Sequence, residues 1–331
     1  MPRVLVTPHM LQRQPGPYLD ILEGAGLEVV YPPEGSNTLE EPVIAEILAG
    51  DIDAMLAGTE PLNRHVLSQS KLKAVARQGV GYDSVDTQAA TDMGIAVTIT
   101  PGTLEASVAE LTLGMLLALT RDLIKHDREV REGRWLRESG PRMAGKTFGI
   151  VGLGRIGRAV ARRIQALEMQ VLAYDPNLSM EQASELEIQK VDRFEDLLPQ
   201  VDVLSLHIPC TTETRNLIDA AALKLMKNDA ILLNLGRGGI VDEDALCDTL
   251  HEGRLFAAGL DVFEQEPLPL SSPLLNAPRL LLSSHMGGID NESTRLASCL
   301  AARCIADLFQ GKWPEECLVN PLVKPTWQWT A

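Results

Sequence analysis

Six consecutive residues, Gly152-Leu153-Gly154-Arg155-Ile156-Gly157, have the spacing of a turn that brings backbone against a phosphate. Gly152 permits the tight turn, Gly154 lets the chain approach a pyrophosphate, and Gly157 lets a helix pack closely on a strand. Alone the pattern is weak, but its surroundings strengthen it. Phe148–Val151 before it is apolar and strand-like. After it, Arg155–Leu167 puts Ile156, Val160, Ile164 and Leu167 on one helical face. A helix N-terminus there offers free N–H groups and a positive dipole to an anion. The next apolar run, Gln170–Tyr174, ends at Asp175. That carboxylate can accept hydrogen bonds from both hydroxyls of an adenosine ribose, and it repels a 2′-phosphate. Residues 174–179 contain no Arg or Lys to hold such a phosphate, so the ligand expected is NAD rather than NADP.

Three later loops carry groups suited to proton and carboxylate chemistry. Arg237 follows an apolar run, in Asn234-Leu235-Gly236-Arg237-Gly238-Gly239. A guanidinium there binds a carboxylate bidentately, or is simply a surface arginine. Asp261-Val262-Phe263-Glu264-Gln265-Glu266-Pro267 offers three carboxylates, of which Glu264 could be merely solvated. Ser283-Ser284-His285-Met286-Gly287-Gly288 offers one histidine. A lone histidine after a strand is often structural. At a strand end in a dinucleotide-binding sheet it is suited to catalysis, because it gives or takes a proton near neutrality. A nearby Glu266 would favour the imidazolium form of His285. Arg237 would hold a substrate carboxylate and polarise its carbonyl. Spacing in the sequence does not show that the three meet.

These residues need elements to position them. Short apolar runs alternate with longer amphipathic ones through the 331 residues, the pattern of an α/β chain of about two domains. Strands are expected at Val4–Thr7, Leu27–Val30, Ala54–Ala57, Leu72–Ala76 and Ile95–Thr98. A second set is expected at Phe148–Val151, Gln170–Tyr174, Val203–Leu206, Ile231–Leu235, Ala258–Asp261 and Leu280–Ser283. Continuous apolar runs of this kind fit parallel strands buried on both faces. A seam is expected at Thr100-Pro101-Gly102-Thr103, followed by one long helix from Leu104 to about Val130. A return crossing is expected near Gly287–Glu292. Residues 1–100 with 290–331 would then form one discontinuous domain, and 101–289 the dinucleotide-binding domain.

Composition excludes several classes of function. A net charge of -15 argues against nucleic acid or an anionic membrane as partner. The longest apolar stretch, Val108–Leu119, is interrupted by Glu110, Thr112 and Gly114 and is short of the ~20 residues a membrane span needs. Five scattered cysteines without a CxxC read as reduced thiols, and no HExxH or Cys/His cluster implies a metal. No targeting segment is read at the start, so the expected location is the cytoplasm. Trp327-Gln328-Trp329 at the end reads as packing or tail rather than a site.

Taken in order, these blocks are similar to those of the D-isomer-specific 2-hydroxyacid dehydrogenases, most closely the 3-phosphoglycerate dehydrogenase branch. The matching blocks are Arg77–Asp86, Ser107–Thr112, Gly145–Gly157, Asn234–Glu243, Asp261–Pro267 and Ser284–Gly288. The resemblance is convincing over roughly residues 70–320 and loose before that. It implies two Rossmann/flavodoxin-like doubly wound parallel-sheet domains with a cleft between them. It also implies a homodimer formed through the long helix after the seam. Its catalytic Arg, Glu and His fall on Arg237, Glu266 and His285. Its NAD contacts fall on Val80, Arg155, Ile156, Asp175, Ile208, Leu235, Gly236, Asp261 and His285 through Gly287 and Gly288, with Asp261 facing the nicotinamide carboxamide. Its substrate-binding loop falls on Gln78, Gly79, Val80 and Gly81, beside Arg77, with Leu104 at the pocket edge.

The activity implied is hydride transfer between NAD(H) and C2 of a small D-2-hydroxy or 2-keto acid, of the 3-phosphoglycerate, hydroxypyruvate or glyoxylate type. Relatives that use NAD occupancy to control partner binding offer a corepressor-like alternative. Three positions depart from the family: Leu104 and Ser84 stand where Asn is usual, and Ser284 where Pro is usual. Leu104 removes a polar group from the pocket edge, so the substrate does not transfer simply from the phosphoglycerate enzymes. Arg134 and Arg142 are further basic groups that a phosphate could use. The regulatory C-terminal extension of many serine-pathway relatives is not expected.

Overall fold

The computed structural model describes residues 1–35, 39–325 and 327–329. The chain divides into two compact units, Met1–Leu104 with Ile289–Ala331, and Glu105–Gly288. The seams expected after residues 100 and 289 thus fall after Leu104 and Gly288, each just before a helix or the turn that leads into one.

The first unit holds β1 (Arg3–Val6), β2 (Glu28–Val30), β3 (Ala54–Ala57), β4 (Ala74–Arg77) and β5 (Ala96–Thr98). They form one parallel sheet in the order β2-β1-β3-β4-β5. Successive side chains on a strand face opposite ways. Accordingly Val4, Val6, Leu56 and Ala76 enter one core, and Leu5, Met55, Val75 and Val97 enter the other. Helix Asn291–Phe309 returns to this unit and packs against helix Pro17–Gly24. Asp290 caps it, its carboxylate accepting from the Glu292 and Ser293 N–H groups at 2.8 Å each.

The chain beyond this helix covers the outer edge of β5. Ile99 N–H donates to the Cys317 carbonyl, and Val319 N–H to that of Val97, both at 2.9 Å. Asn320 fastens the join: its Oδ1 accepts from Val97 N–H at 2.8 Å, and its Nδ2 donates to the Ile95 carbonyl at 2.9 Å. An edge covered in this way presents no unpaired ladder. The terminal tryptophans are packed. Trp327 lies against Trp313 and donates its indole N–H to the Lys73 carbonyl at 2.9 Å, and Trp329 meets Phe309 edge-on.

The second unit holds β6 (Thr147–Val151), β7 (Gln170–Tyr174), β8 (Gln189–Lys190), β9 (Val203–Leu206), β10 (Ile231–Asn234), β11 (Ala257–Leu260) and β12 (Leu280–Leu282). They form a parallel sheet in the order β12-β11-β10-β9-β6-β7-β8. Phe148, Ile150, Ile231 and Leu233 face one core, and Leu172, Leu204, Leu206 and Leu232 the other. Because β6 lies between β7 and β9, the winding reverses there, and ligands of such sheets bind at the carboxyl ends beside that reversal.

Two elements differ from the sequence reading. Strand β8 was not anticipated, because its two residues are exposed or half-buried and form no apolar run. The single long helix is two, Glu105–Thr120 and Leu123–Arg131. Between them Asp122 takes the left-handed conformation, φ 47° and ψ 38°, which a right-handed helix cannot continue through. Arg279 holds its carboxylate at 3.5 Å, and Gly140 lies so close to the Thr120 carbonyl that a Cβ would come within 2.0 Å of it.

Candidate active site

The glycine turn leaves β6 with Gly152 at φ +90°. A Cβ there would lie 2.5 Å from Ile208 Cγ2 and 2.6 Å from the His207 carbonyl oxygen. At Gly157 a Cβ would lie 2.2 Å from the Gly152 carbonyl oxygen. Only glycine fits at either position, for reasons internal to the protein. Gly154 differs: a Cβ there would meet nothing within 4 Å. The side of the turn that must be small for a ligand is therefore the side left open. Gly154 also starts helix Arg155–Ala166, which no side chain caps. Arg155 is exposed and Ile156 half-buried on its first turn. Uncapped N–H groups beside open space suit a pyrophosphate.

Asp175, just past β7, is fixed to this turn. Its Oδ2 accepts from Leu153 N–H at 2.8 Å and its Oδ1 from Asn177 N–H at 2.8 Å. The carboxylate that would read the ribose is thus held by the loop that would hold the phosphates.

The loops after β10, β11 and β12 are tied together by Asp261, which is 1% exposed. Its Oδ1 accepts from Ser283 Oγ at 2.5 Å and from Met286 N–H at 2.8 Å, and its Oδ2 accepts from Gly287 N–H at 2.8 Å. Its carbonyl accepts from His285 N–H at 2.8 Å, and its own N–H donates to the Asn234 carbonyl at 3.0 Å. Gly287 is needed here, since a Cβ would lie 2.9 Å from Asp261 Oδ2. Gly288, half-buried, ends the unit. Within this clamp His285 sits at φ +55°, a region few non-glycine residues occupy unless neighbours hold them there.

The clamp presents the His285 ring to Glu266, with Nδ1 2.7 Å from Oε2. The other carboxylate oxygen accepts from Phe263 N–H at 3.0 Å. Burial pushes the Glu266 pKa up. The bond and charge of His285, the Phe263 N–H and the Arg237 guanidinium outweigh it and leave the group below its ordinary value. An ionised Glu266 accepts, so Nδ1 carries a proton and Nε2 is the ring nitrogen outside this pair.

Arg237 is half-buried on the loop after β10. Its Nη1 donates to the Gly236 carbonyl at 2.8 Å. Leu235 before it is buried, and Gly236 lies so close to Ile208 that a Cβ would come within 2.9 Å of the Ile208 carbonyl oxygen. Gly238 after it would place a Cβ 1.7 Å from the Phe263 carbonyl oxygen, so the Arg237 and Glu266 loops touch backbone to backbone. Glu264 is drawn elsewhere, pairing with Arg215 at 2.8 Å. The structure thus brings Arg237, Glu266 and His285 together.

The remaining sequence candidates lie in the first unit. Arg77 ends β4, is 7% exposed, and donates from Nε to the Gly81 carbonyl at 3.0 Å, closing the Gln78–Gly81 turn. Gly79, at φ +148°, exchanges bonds with Thr100: its N–H donates to Oγ1 and its carbonyl accepts from the Thr100 N–H, both at 2.9 Å. Gln78 and Val80 are half-buried on this turn, and Leu104 Cδ1 would be 3.9 Å from a Cβ on Gly79. Arg134 is committed to Glu129 and Glu132, in the second unit. Arg142 is exposed in the same unit.

Residues 113–287 match the family model described as D-isomer specific 2-hydroxyacid dehydrogenase, NAD binding domain. The chain belongs to this family. It is 36% identical over 284 residues to D-3-phosphoglycerate dehydrogenase of Methanocaldococcus jannaschii, covering 85% of this chain and 54% of that protein. It is 40% identical over 283 residues to glyoxylate reductase of Korarchaeum cryptofilum, covering 83% and 85% of the two chains. The TT0316 protein from Thermus thermophilus superposes with a TM-score of 0.85 at 35% identity, covering 96% of this chain and 100% of that one. The chain spans little more than half the length of the first phosphoglycerate dehydrogenases it matches.

In this member of the family the second unit holds the NAD binding domain, and its turn, uncapped helix and fixed Asp175 fit that cofactor. Sequence reasoning missed several residues around them. Asn234, 1% exposed, accepts from Gly236 N–H at 3.1 Å and donates to the Arg237 carbonyl at 2.9 Å, setting the turn that carries Arg237. Its signal was a polar residue closing an apolar strand. His207, beside Ile208, places Nε2 2.9 Å from Ser205 Oγ, and burial pushes its pKa down to about 4, so it is neutral at pH 7. Among the described residues no group of His, Cys, Asp and Glu is arranged to hold a metal ion, and no helix is long and apolar enough to cross a membrane.

Removing Asp175 takes away the carboxylate that would read the ribose and the anchor of Leu153. Asp175→Ala is expected to weaken NADH binding about tenfold or more, roughly 1.4 kcal/mol, while NADPH binding holds or improves. Titration calorimetry with both cofactors reads this, and an unchanged preference for NADH over NADPH would contradict the ribose assignment.

Proposed function

We propose that this protein is an NAD-dependent oxidoreductase that interconverts a small D-2-hydroxy acid and its 2-keto acid, of the 3-phosphoglycerate, hydroxypyruvate or glyoxylate type. The His285–Glu266 pair, held beside Arg237 at the carboxyl edge of a sheet that carries an NAD turn, is the observation that carries this reading. When bound, NADH supplies the hydride that C2 of the keto acid receives. His285 gives the proton from Nε2 to the carbonyl oxygen, so one hydride and one proton complete the hydroxy acid. Glu266 holds the ring by Nδ1 and stabilises the imidazolium before it gives up its proton. Arg237 draws on the keto acid's carboxylate and carbonyl oxygen. In the first unit the Gln78–Gly81 backbone, with Val80 and the buried Arg77 beside it, takes the carboxylate, and Leu104 bounds the substrate. Ile208, Leu235, Gly236, Asp261, Gly287 and Gly288 line the cofactor.

The depressed pKa of Glu266 fixes the sign of its pH dependence. The charged pair is present above the ordinary carboxylate range and is lost as pH falls through the lowered value.

NADH consumption with glyoxylate, hydroxypyruvate and 3-phosphohydroxypyruvate tests the reading. His285→Ala is expected to lose about 10²–10⁴-fold in kcat with NADH affinity retained. Glu266→Gln is expected to lose on the order of tenfold or more and to flatten the fall at low pH. Near-normal turnover in a folded His285→Ala protein would remove the histidine from this role.

A homodimer belongs to the same reading. Leu123, Ile124 and Val130 are exposed on helix Leu123–Arg131, and Trp135 follows at 80% exposure. Apolar side chains gathered in this way mark an association surface. Light scattering is expected to find two chains per particle, and Ile124→Glu with Trp135→Glu to yield one; a wild-type monomer would refute the dimer.

A further inference from the structure

Glu60 lies in the loop after β3, at the carboxyl edge of the first unit's sheet, and no step above uses it. That loop runs alongside the Gln78–Gly81 loop and is pinned to it at both ends. Before it, Gln78 N–H donates to the Ala57 carbonyl at 2.9 Å. After it, Leu62 N–H donates to the Ser84 carbonyl at 2.7 Å, and Asp86 N–H to that of Leu62 at 2.9 Å. Residues 58–61 therefore face residues 79–83. Inside this frame Gly58 N–H donates to Thr7 Oγ1 at 3.1 Å, and a Cβ on Gly58 would lie 2.8 Å from Glu60 Oε1. Glu60 Oε2 is shielded from solvent and has no hydrogen-bond partner among the described residues. A buried carboxyl oxygen left without a donor is costly unless something completes it.

We propose that Glu60 is a specificity-determining residue, which favours 2-keto acids whose far end is an uncharged hydrogen-bond donor over those carrying a second anion such as a phosphate. The proposal rests on the reading that the Gln78–Gly81 loop takes the substrate carboxylate. A substrate held there projects its C3 group along the paired loops. A hydroxyl at C3 adds no charge beside this buried carboxyl group. A phosphate meets a carboxylate instead. Burial pushes the Glu60 pKa up, opposed by its own N–H, Thr7, Arg77 and Gly58. A second anion would push it further and make binding depend on proton uptake. The carboxylate also offsets the charge of Arg77, so this edge is not the cluster of free positive charge that a phosphate prefers.

The test compares kcat/KM for hydroxypyruvate and 3-phosphohydroxypyruvate in the wild type and in Glu60→Gln, with thermal unfolding and the KM for NADH recorded beside them. The wild type should prefer hydroxypyruvate. Glu60→Gln, nearly equal in shape, should move the ratio at least about tenfold toward the phosphorylated acid without changing the KM for NADH. A wild type that prefers the phosphorylated acid overturns the proposal, and that result stands whether or not the variant folds. An unchanged ratio in a folded variant also overturns it, while leaving the dehydrogenase reading intact. No turnover with either acid or with glyoxylate sinks both.

Discussion

A buried carboxylate, Asp261, is the constraint on which the second unit's functional edge depends. It accepts from one hydroxyl and two backbone N–H groups, and its own backbone bonds the strand-end residue on one side and His285 on the other. A charge removed from water is tolerable only when donors surround it. Here the donors come from the very loop that carries His285. The requirement to satisfy Asp261 therefore fixes the backbone of Ser283–Gly287 and holds His285 in a conformation it would not otherwise keep. Glycines make this geometry possible, because Gly287 and Gly238 stand where any Cβ would strike Asp261 or the Phe263 carbonyl.

The same arrangement recurs at the cofactor turn. Asp175 is ordered by Leu153 N–H, so this carboxylate and the glycine turn share one piece of backbone. Gly152 and Gly157 allow the turn to close on the protein, while Gly154 keeps it open toward a ligand. In both places a carboxylate is oriented by backbone N–H groups rather than by a counter-ion. Such bonds orient an acid without adding a long, flexible partner. An acidic chain with net charge -15 can in this way hold anionic ligands through local backbone dipoles and a few placed guanidinium groups.

Much of this was legible in the sequence, for physical reasons. Strands buried on both faces must be continuously apolar, so every strand with a core-facing run was found to within about two residues. The glycine turn was legible because each glycine answers a separate steric demand. Arg237, Glu266 and His285 were visible as chemistry, but their meeting was not, since it depends on Asp261 and Gly238 drawing three loops together. Asp261 itself was read as a cofactor contact, whereas the structure also gives it three donors from the chain. Strand β8 escaped because two half-exposed residues make no pattern. The break at Asp122 escaped because no Gly or Pro marks it; a left-handed aspartate held by Arg279 is a tertiary event. Asn234 and Glu60 escaped because a polar residue at a strand end looks like any loop residue until its partners are seen.

The most direct measurement is of Asp261→Asn, which keeps shape but turns one acceptor into a donor facing N–H groups. Turnover with a 2-keto acid and NADH should be measured with circular dichroism and thermal unfolding as controls for folding. If the clamp sets the position of His285, a folded variant loses about 100-fold or more in kcat. A folded variant with wild-type kcat would contradict that dependence.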